Sequence, residues 1–289
     1  MNADDMNTNI SKKNDFLLKK ESINNIQYFL NDLNLDKIKI ALFLDIDGTI
    51  SDFKIDPGDC FISKKILKLI EDIQNKGCLV AVVTGREYYS AKKLLENLNL
   101  PIAALHGLDI HITEKIKLNS INDNNNFLIQ KFFYHIQEEA KFYPDINIEN
   151  KHNSIALHYR KNPDLYDVAK NIMYRIQANN DQFKIIEGKY VLELIPKKSN
   201  KGSAIKTLLS HFNAQHYLSI FIGDDITDED GFKVVNQLEG ISIKVGSGET
   251  VARFRLKNID HVEEFLSLFS RNFPDSSTQI TKKYGEQYV

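Results

Sequence analysis

The stretch from Ile38 to Ile46 is a nearly unbroken apolar run of strand length, and it narrows the folds open to this chain more than any other feature. A strand with no polar face has to be covered on both sides, as the central strands of a parallel sheet are by flanking helices. The next segments supply that pattern. Ser63 sits where a helix N-cap belongs, Ile66, Leu69, Ile70 and Ile73 share one helical face, and Gly77 ends the helix. Cys78 to Val83 reads as a second buried strand, Tyr88 to Leu98 as a helix and Ile102 to Leu105 as a third strand. This alternation predicts parallel βαβ units.

The pattern breaks after His106-Gly107. Leu108 to Ile112 reads as a strand, Phe127 to Phe142 and Asp164 to Ala178 as helices, and Asn122 to Asn126 as a polar loop. Two hairpins are expected. One pairs Ile146 to Glu149 with Ser154 to Arg160 around Lys151-His152-Asn153; the other pairs Phe183 to Glu187 with Tyr190 to Ile195 around Gly188-Lys189. Such a block forms an α+β layer of its own. The parallel pattern then resumes with a helix from Asn200 to Phe212, a strand from Leu218 to Ile222, a helix from Glu229 to Leu238, a strand from Ile241 to Val245 and a closing helix from His261 to Phe269. The expected fold is therefore an α/β, doubly wound parallel-sheet (Rossmann-like) core at 37–107 and 197–270, split by an inserted α+β cap domain at 108–196. An extension at 1–36 with a short helix from Phe16 to Leu35, and a polar tail at 271–289, flank it.

A formal net charge of −2 provides no long-range field for nucleic acid. No apolar run reaches the roughly 18 residues that span a membrane, and Met1 to Asn14 holds no apolar signal core. Cys60 and Cys78 make neither a disulfide framework nor a zinc pattern. A cytoplasmic protein with free thiols is expected.

Four features fall just beyond the carboxyl ends of expected parallel strands, where open α/β sheets bind ligands: Asp45/Asp47, Thr84-Gly85-Arg86, His106-Gly107 and Gly223-Asp224-Asp225. Lys201 opens the helix directly after the inserted block. Asp-x-Asp-Gly alone is common in turns. Here it is joined by Asp224-Asp225-Ile226-Thr227-Asp228-Glu229-Asp230, where five carboxylates in seven residues repel one another unless a cation is near; a solvated acidic helix start is the other reading. Together these residues suit phosphate-ester hydrolysis, which needs a nucleophile, an acid for the leaving alcohol and positive charge for the phosphoryl oxygens. Asp45 and Asp47 can project toward one site, and Asp224 can join them around a hard cation such as Mg²⁺. Thr84 offers a hydroxyl and backbone donors to phosphate, and Lys201 offsets the carboxylates.

Asp45-Ile46-Asp47-Gly48-Thr49, Thr84-Gly85-Arg86, Lys201-Gly202 and Gly223-Asp224-Asp225 resemble the four motifs of the haloacid dehalogenase superfamily, and the inserted block resembles its C2-type cap. The longer acidic motif from Phe221 to Phe232, with His106-Gly107, His158-Tyr159-Arg160 and Val191-Leu192-Glu193, resembles the trehalose-6-phosphate phosphatases. The likeness runs over roughly residues 38 to 268. It implies Mg²⁺-dependent hydrolysis of trehalose 6-phosphate. Asp45 would be the nucleophile and a metal ligand. Asp47 would be the acid and then the base, with its backbone carbonyl on the metal. Asp224 would complete the protein ligands, with Asp225 and Asp228 behind them. Thr84, Gly85 and Lys201 would hold the phosphoryl group, Arg86, His106 and Gly107 would line the mouth, and Glu149, Lys151 and Glu193 would bind sugar hydroxyls.

The residues by themselves leave the cap positions open. Period two places Glu149 and Lys151 on one strand face, which a solvated face also explains. Glu193 interrupts the apolar row of Val191 and Ile195, either as a salt bridge to Lys151 or Arg160 or as a ligand contact. His158 and Arg160 read as structural. The rivals are a phosphatase of sucrose phosphate or mannosyl-glycerate phosphate, a sugar-phosphate mutase, and a non-catalytic module that binds sugar phosphate or a trehalose-phosphate synthase. A synthase supplying the substrate is a further implied partner.

Overall fold

The computed structural model describes residues 38–52, 59–119, 123–151, 154–178, 180–197 and 200–273. The helix expected from Phe16 to Leu35 lies outside them. Along the chain come β1 (Ile40–Leu44), α1 (Lys64–Asn75), β2 (Leu79–Val83), α2 (Tyr88–Leu94), β3 (Ile102–Ala104), β4 (Asp109–His111) and β5 (Lys117–Asn119). Next are α3 (Asp123–Ala140), β6 (Asn147–Asn150), β7 (Ile155–His158), α4 (Tyr166–Gln177), β8 (Phe183–Gly188) and β9 (Val191–Pro196). The last part holds α5 (Lys201–His211), β10 (Leu218–Gly223), α6 (Glu229–Gln237), β11 (Ile241–Val245), β12 (Phe254–Leu256) and α7 (Ile259–Asn272).

β1 lies at the centre of an eight-stranded sheet of order β12-β11-β10-β1-β2-β3-β4-β5. The first six of these run parallel. Its alternation explains why it has no polar face. Ile40, Leu42 and Leu44 pack into a layer with Ile66 and Ile70 of α1 and Phe265 and Phe269 of α7. Ala41 and Phe43 point the other way, toward Ile205 and Leu208 of α5 and Phe232 of α6. The expected start of α1 is present as well, since the Ser63 hydroxyl accepts from the Ile66 amide at 3.1 Å.

The strand read at 108–112 does not join the inserted sheet. Leu105, His106 and Gly107 all take positive φ (49°, 55° and 93°), which turns the chain back on itself. β4 therefore runs antiparallel beside β3, and β5 extends the same edge. The polar stretch at Asn122 to Asn126 is helical from Asp123 onward, as the first turn of α3. At the far end α7 runs to Asn272, and Phe273 stacks on Phe269 with centroids 5.4 Å apart, so ordered packing continues into the expected tail.

The second sheet, β6-β7-β9-β8, is antiparallel throughout. Ile155, Leu157, Leu192 and Leu194 cover one face and pack on α3 and α4. The register aligns Glu149, Ala156, Glu193 and Ile186 across the strands on the opposite face. Among the described residues no helix is long and apolar enough to cross a membrane.

Candidate active site

The carboxyl ends of β1 and β10 bring the acidic motifs together. Asp45 follows β1, and its amide donates to the Ile222 carbonyl of β10 at 3.0 Å. Gly48 takes φ +75°, and a Cβ there would sit 2.0 Å from Asp224 Oδ2. Only glycine lets Asp224 reach across. The carboxylate oxygens of Asp45, Asp224 and Asp228 lie within 4.8 Å of one another. Lys201, buried at the start of α5, sends its ammonium to Asp45 Oδ1 at 2.9 Å and to Asp228 Oδ1 at 2.7 Å. Asp228 Oδ2 accepts from the Asp225 amide at 2.9 Å and closes the acidic loop.

One ammonium faces three gathered carboxylates here. Burial, reinforced by Asp228 and Asp47 against the opposing pull of Lys201, raises Asp45 to about 7. Burial and repulsion from Asp45, Asp228 and Asp225 raise Asp224 to about 9. Burial works against the charge of Lys201 too, but Asp228 and Asp45 hold it protonated above its ordinary range. An all-oxygen cluster short of positive charge fits a hard cation such as Mg²⁺. A raised carboxylate pKa means that the fold holds protons which the unfolded chain gives up above about pH 4. Cation-free stability should therefore fall as pH rises from about 4 through 7 to 9. Mg²⁺ held by these carboxylates would compete with those protons, so any rise in Tm on adding it should be larger at pH 9 than at pH 6, as read by differential scanning fluorimetry.

Thr84 lies at the end of β2, and its hydroxyl accepts from the Arg86 amide at 3.2 Å. A Cβ at Gly85 would meet the His106 ring at 2.7 Å, so this glycine makes room for the imidazole. Gly107 packs against Ala204 of α5, where a Cβ would come within 2.7 Å of the alanine methyl. It stands outside the cavity wall, unlike the other residues expected at the mouth. The Asp47 carboxylate is not part of the acidic cluster: Arg86 Nε donates to its Oδ2 at 2.7 Å and Nη2 to its Oδ1 at 2.5 Å.

The polar face of the second sheet closes the other side. Glu193 accepts from Ser154 at 2.8 Å and from Lys151 at 3.2 Å, and His106 Nε2 lies 3.4 Å from it. Burial opposes this charge, yet Lys151, His106 and Ser154 hold the carboxylate far below its usual range. The salt bridge to Lys151 is thus made, and both partners still face the cavity. Glu149 meets His158 at 3.0 Å, and Arg160 Nη2 donates to His158 Nδ1 at 3.3 Å.

One cavity of about 570 Å³ joins the two sides. Asp45, Asp47, Thr84, Lys201, Asp224 and Asp225 line its core end, and Glu149, Lys151 and Glu193 its cap end. Asp228 stays behind this wall, fully buried. His158 and Arg160, read from sequence as structural, line the cavity, and so do Cys60 and Lys189. His158 shares a strand face with Ala156, which pairs with Glu193, but its periodicity alone does not say what that face meets. Lys189 sits in a hairpin turn, where a lysine carries no signal.

A family model described as trehalose-phosphatase matches residues 43–260. The chain belongs to the trehalose-phosphatase family. It is 30% identical over 235 residues to the trehalose-6-phosphate phosphatase of Escherichia coli (strain K12), covering 80% of this chain and 87% of that protein. A probable trehalose-phosphate phosphatase of Sinorhizobium fredii is 31% identical over 220 residues, covering 75% and 82%. The C-terminal domain of Candida albicans trehalose-6-phosphate phosphatase superposes with a TM-score of 0.73 at 25% identity, over 85% of this chain and 96% of that one. The C-terminal domain of the Candida albicans trehalose synthase regulatory protein shares the fold at 12% identity, with a TM-score of 0.66 over 85% and 97%. This trehalose-phosphatase family member is a phosphatase, and a haloacid dehalogenase-like hydrolase of Bacteroides thetaiotaomicron shares its fold at 19% identity, with a TM-score of 0.55 over 80% and 99%.

Proposed function

We propose that this phosphatase hydrolyses trehalose 6-phosphate to trehalose and phosphate in two displacements at Asp45. The observation that most supports this is one shared cavity, with Asp45, Thr84 and Lys201 at one end and the polar side chains of Glu149, Lys151 and Glu193 at the other. In the first displacement an Asp45 oxygen attacks phosphorus, the bond from phosphorus to the sugar oxygen breaks, and Asp47 gives its proton to that oxygen. In the second, water attacks the aspartyl-phosphate, Asp47 takes the water's proton, and the bond from phosphorus to Asp45 breaks. Such proton transfer contributes on the order of 10²–10⁴-fold. Lys201 orients Asp45 through Oδ1 and, with Thr84, holds the phosphoryl group. Asp45, the Asp47 carbonyl and Asp224 would hold Mg²⁺, which when bound neutralises phosphoryl oxygens.

Carboxylates accept hydrogen bonds from hydroxyls, which suits a sugar with no charge beyond its phosphate. Two buried free thiols, Cys60 and Cys78, fit a cytoplasmic setting. A trehalose-phosphate synthase is the proposed source of substrate. The test is phosphate release from trehalose 6-phosphate, sucrose phosphate and glucose 6-phosphate, with Mg²⁺ and with chelator. Trehalose 6-phosphate should show the highest kcat/KM, and chelator should abolish turnover. A higher value for sucrose phosphate would move the assignment to that substrate. Glu193→Gln keeps the shape of the side chain and removes its charge. It should raise KM for trehalose 6-phosphate about tenfold and leave that for p-nitrophenyl phosphate nearly unchanged, in line with one lost charged hydrogen bond of about 1.5–3 kcal/mol. Equal shifts on both substrates would exclude a role in sugar recognition.

A further inference from the structure

We infer that Arg86 is a positioning residue for Asp47, and that Asp47 Oδ2 is the oxygen that carries the proton; this rests on the reading of Asp47 as acid and base. Arg86 lines the cavity, as expected. Its guanidinium is at the same time forked onto one carboxylate, Nε to Oδ2 at 2.7 Å and Nη2 to Oδ1 at 2.5 Å. The Arg86 side chain is 10% exposed and that of Asp47 36%. Two parallel N–H donors fix the plane of a carboxylate as well as its place.

The arginine is itself held. Its Nη1 donates to Ser90 Oγ at 3.2 Å, its amide to Thr84 Oγ1 at 3.2 Å, and its carbonyl accepts from the Leu105 amide at 3.0 Å. The same loop that presents Thr84 to the phosphoryl group therefore sets the direction of Asp47. A change in one would displace the other.

Lone pairs decide which oxygen carries the proton. An ionised carboxylate offers about two acceptor sites on each oxygen. Oδ1 accepts from Arg86 Nη2, and the Cys60 thiol points at it from 3.8 Å. Oδ2 accepts from Arg86 Nε and keeps a lone pair to spare. A proton on that lone pair leaves the other for Nε, so the fork survives in both protonation states. Asp47 can then give a proton to the sugar oxygen and take one from water without changing place.

The role is separable from substrate binding by leaving group. p-Nitrophenolate departs without a proton, whereas a sugar alkoxide needs one. Arg86→Ala and Arg86→Lys are compared with wild type in single turnovers, following alcohol release from trehalose 6-phosphate by rapid quench and from p-nitrophenyl phosphate by absorbance. Both variants should slow release of trehalose at least about tenfold more than release of p-nitrophenol, within the range of general acid catalysis. Arg86→Lys, which retains one charged donor, should lose less than Arg86→Ala. Equal slowing of both alcohols would make Arg86 a phosphoryl-binding group and overturn the inference. A raised KM for the sugar phosphate at unchanged rate would make it a sugar contact and overturn it too. Inertness of both variants toward both substrates would likewise overturn it. Wild type that releases p-nitrophenol but no trehalose would instead remove the functional reading.

Discussion

Replacing Asp45 with Asn is expected to reduce phosphate release by roughly 10⁴-fold or more, the scale seen when a nucleophile is removed from a covalent mechanism. An amide has no anionic oxygen to attack phosphorus, and the neighbouring Asp47 carboxylate is forked onto Arg86. The expectation for stability points the other way. Burial holds the Asp45 pKa near 7, so an ionised Asp45 is a burden to the cation-free fold at pH 8. Asn removes that charge, while Lys201 keeps Asp228 as a partner at 2.7 Å. Without divalent cation at pH 8, the variant should melt no lower than wild type, and Mg²⁺ should raise its Tm less. An inactive variant with an unchanged melting temperature would separate chemistry from folding. Turnover within tenfold of wild type would remove Asp45 as the nucleophile.

Replacing Lys201 with Met should be the most damaging change to the fold among the site residues. The Lys201 side chain is 2% exposed, and its ammonium stands between Asp45 and Asp228. Removing one member of a buried charge set leaves the rest uncompensated, at a cost of about 3–5 kcal/mol. The pKa of Lys201 is raised in the fold, so its stabilisation is fully present below the ordinary lysine pKa and is complete at pH 8. Without it the carboxylates repel one another, and the loss should deepen as pH rises from 6 to 9, where Asp45 and Asp224 give up their protons. Urea unfolding at both pH values, with and without Mg²⁺, reads this directly. Part of the loss should return with the cation. A Met variant as stable as wild type at pH 9 would show that the cluster needs no compensating charge. Activity should fall in parallel, because Asp45 loses the group that orients its Oδ1.

Much of the core was legible because its signals are local. An apolar run of strand length, a serine before a helical pattern and an acidic turn at a strand end each depend on neighbours a few residues away. That is why β1, α1 and the positions of Asp45, Thr84, Lys201 and Asp224 could be read. The strand β4 was legible as a strand but not in its pairing, which is with β3 on one side and β5 on the other. Its place in the large sheet depends on the positive φ angles of Leu105, His106 and Gly107, and only the last of these is a residue that advertises such a turn.

The cap shows the same division. Period two put Glu149 on one face of β6 and set Glu193 in the row of Val191 and Ile195 on β9. Which way those faces look depends on α3 and α4 covering the other side. It also depends on the β8–β9 turn meeting the acidic loop, where a Cβ at Gly188 would lie 3.3 Å from Asp225 Oδ2. His158 and Arg160 enter the site by that route, through contacts distant in sequence. Arg86, for which the family resemblance implied a substrate contact, has Asp47 as its partner in space. The apolar run from Ile38 to Ile46 determined a buried parallel strand with carboxylates at its end, because burial on both faces leaves a strand no other pattern. The tertiary structure alone decided which charges meet there, because partners brought together from separate elements leave no periodic trace in either stretch of sequence.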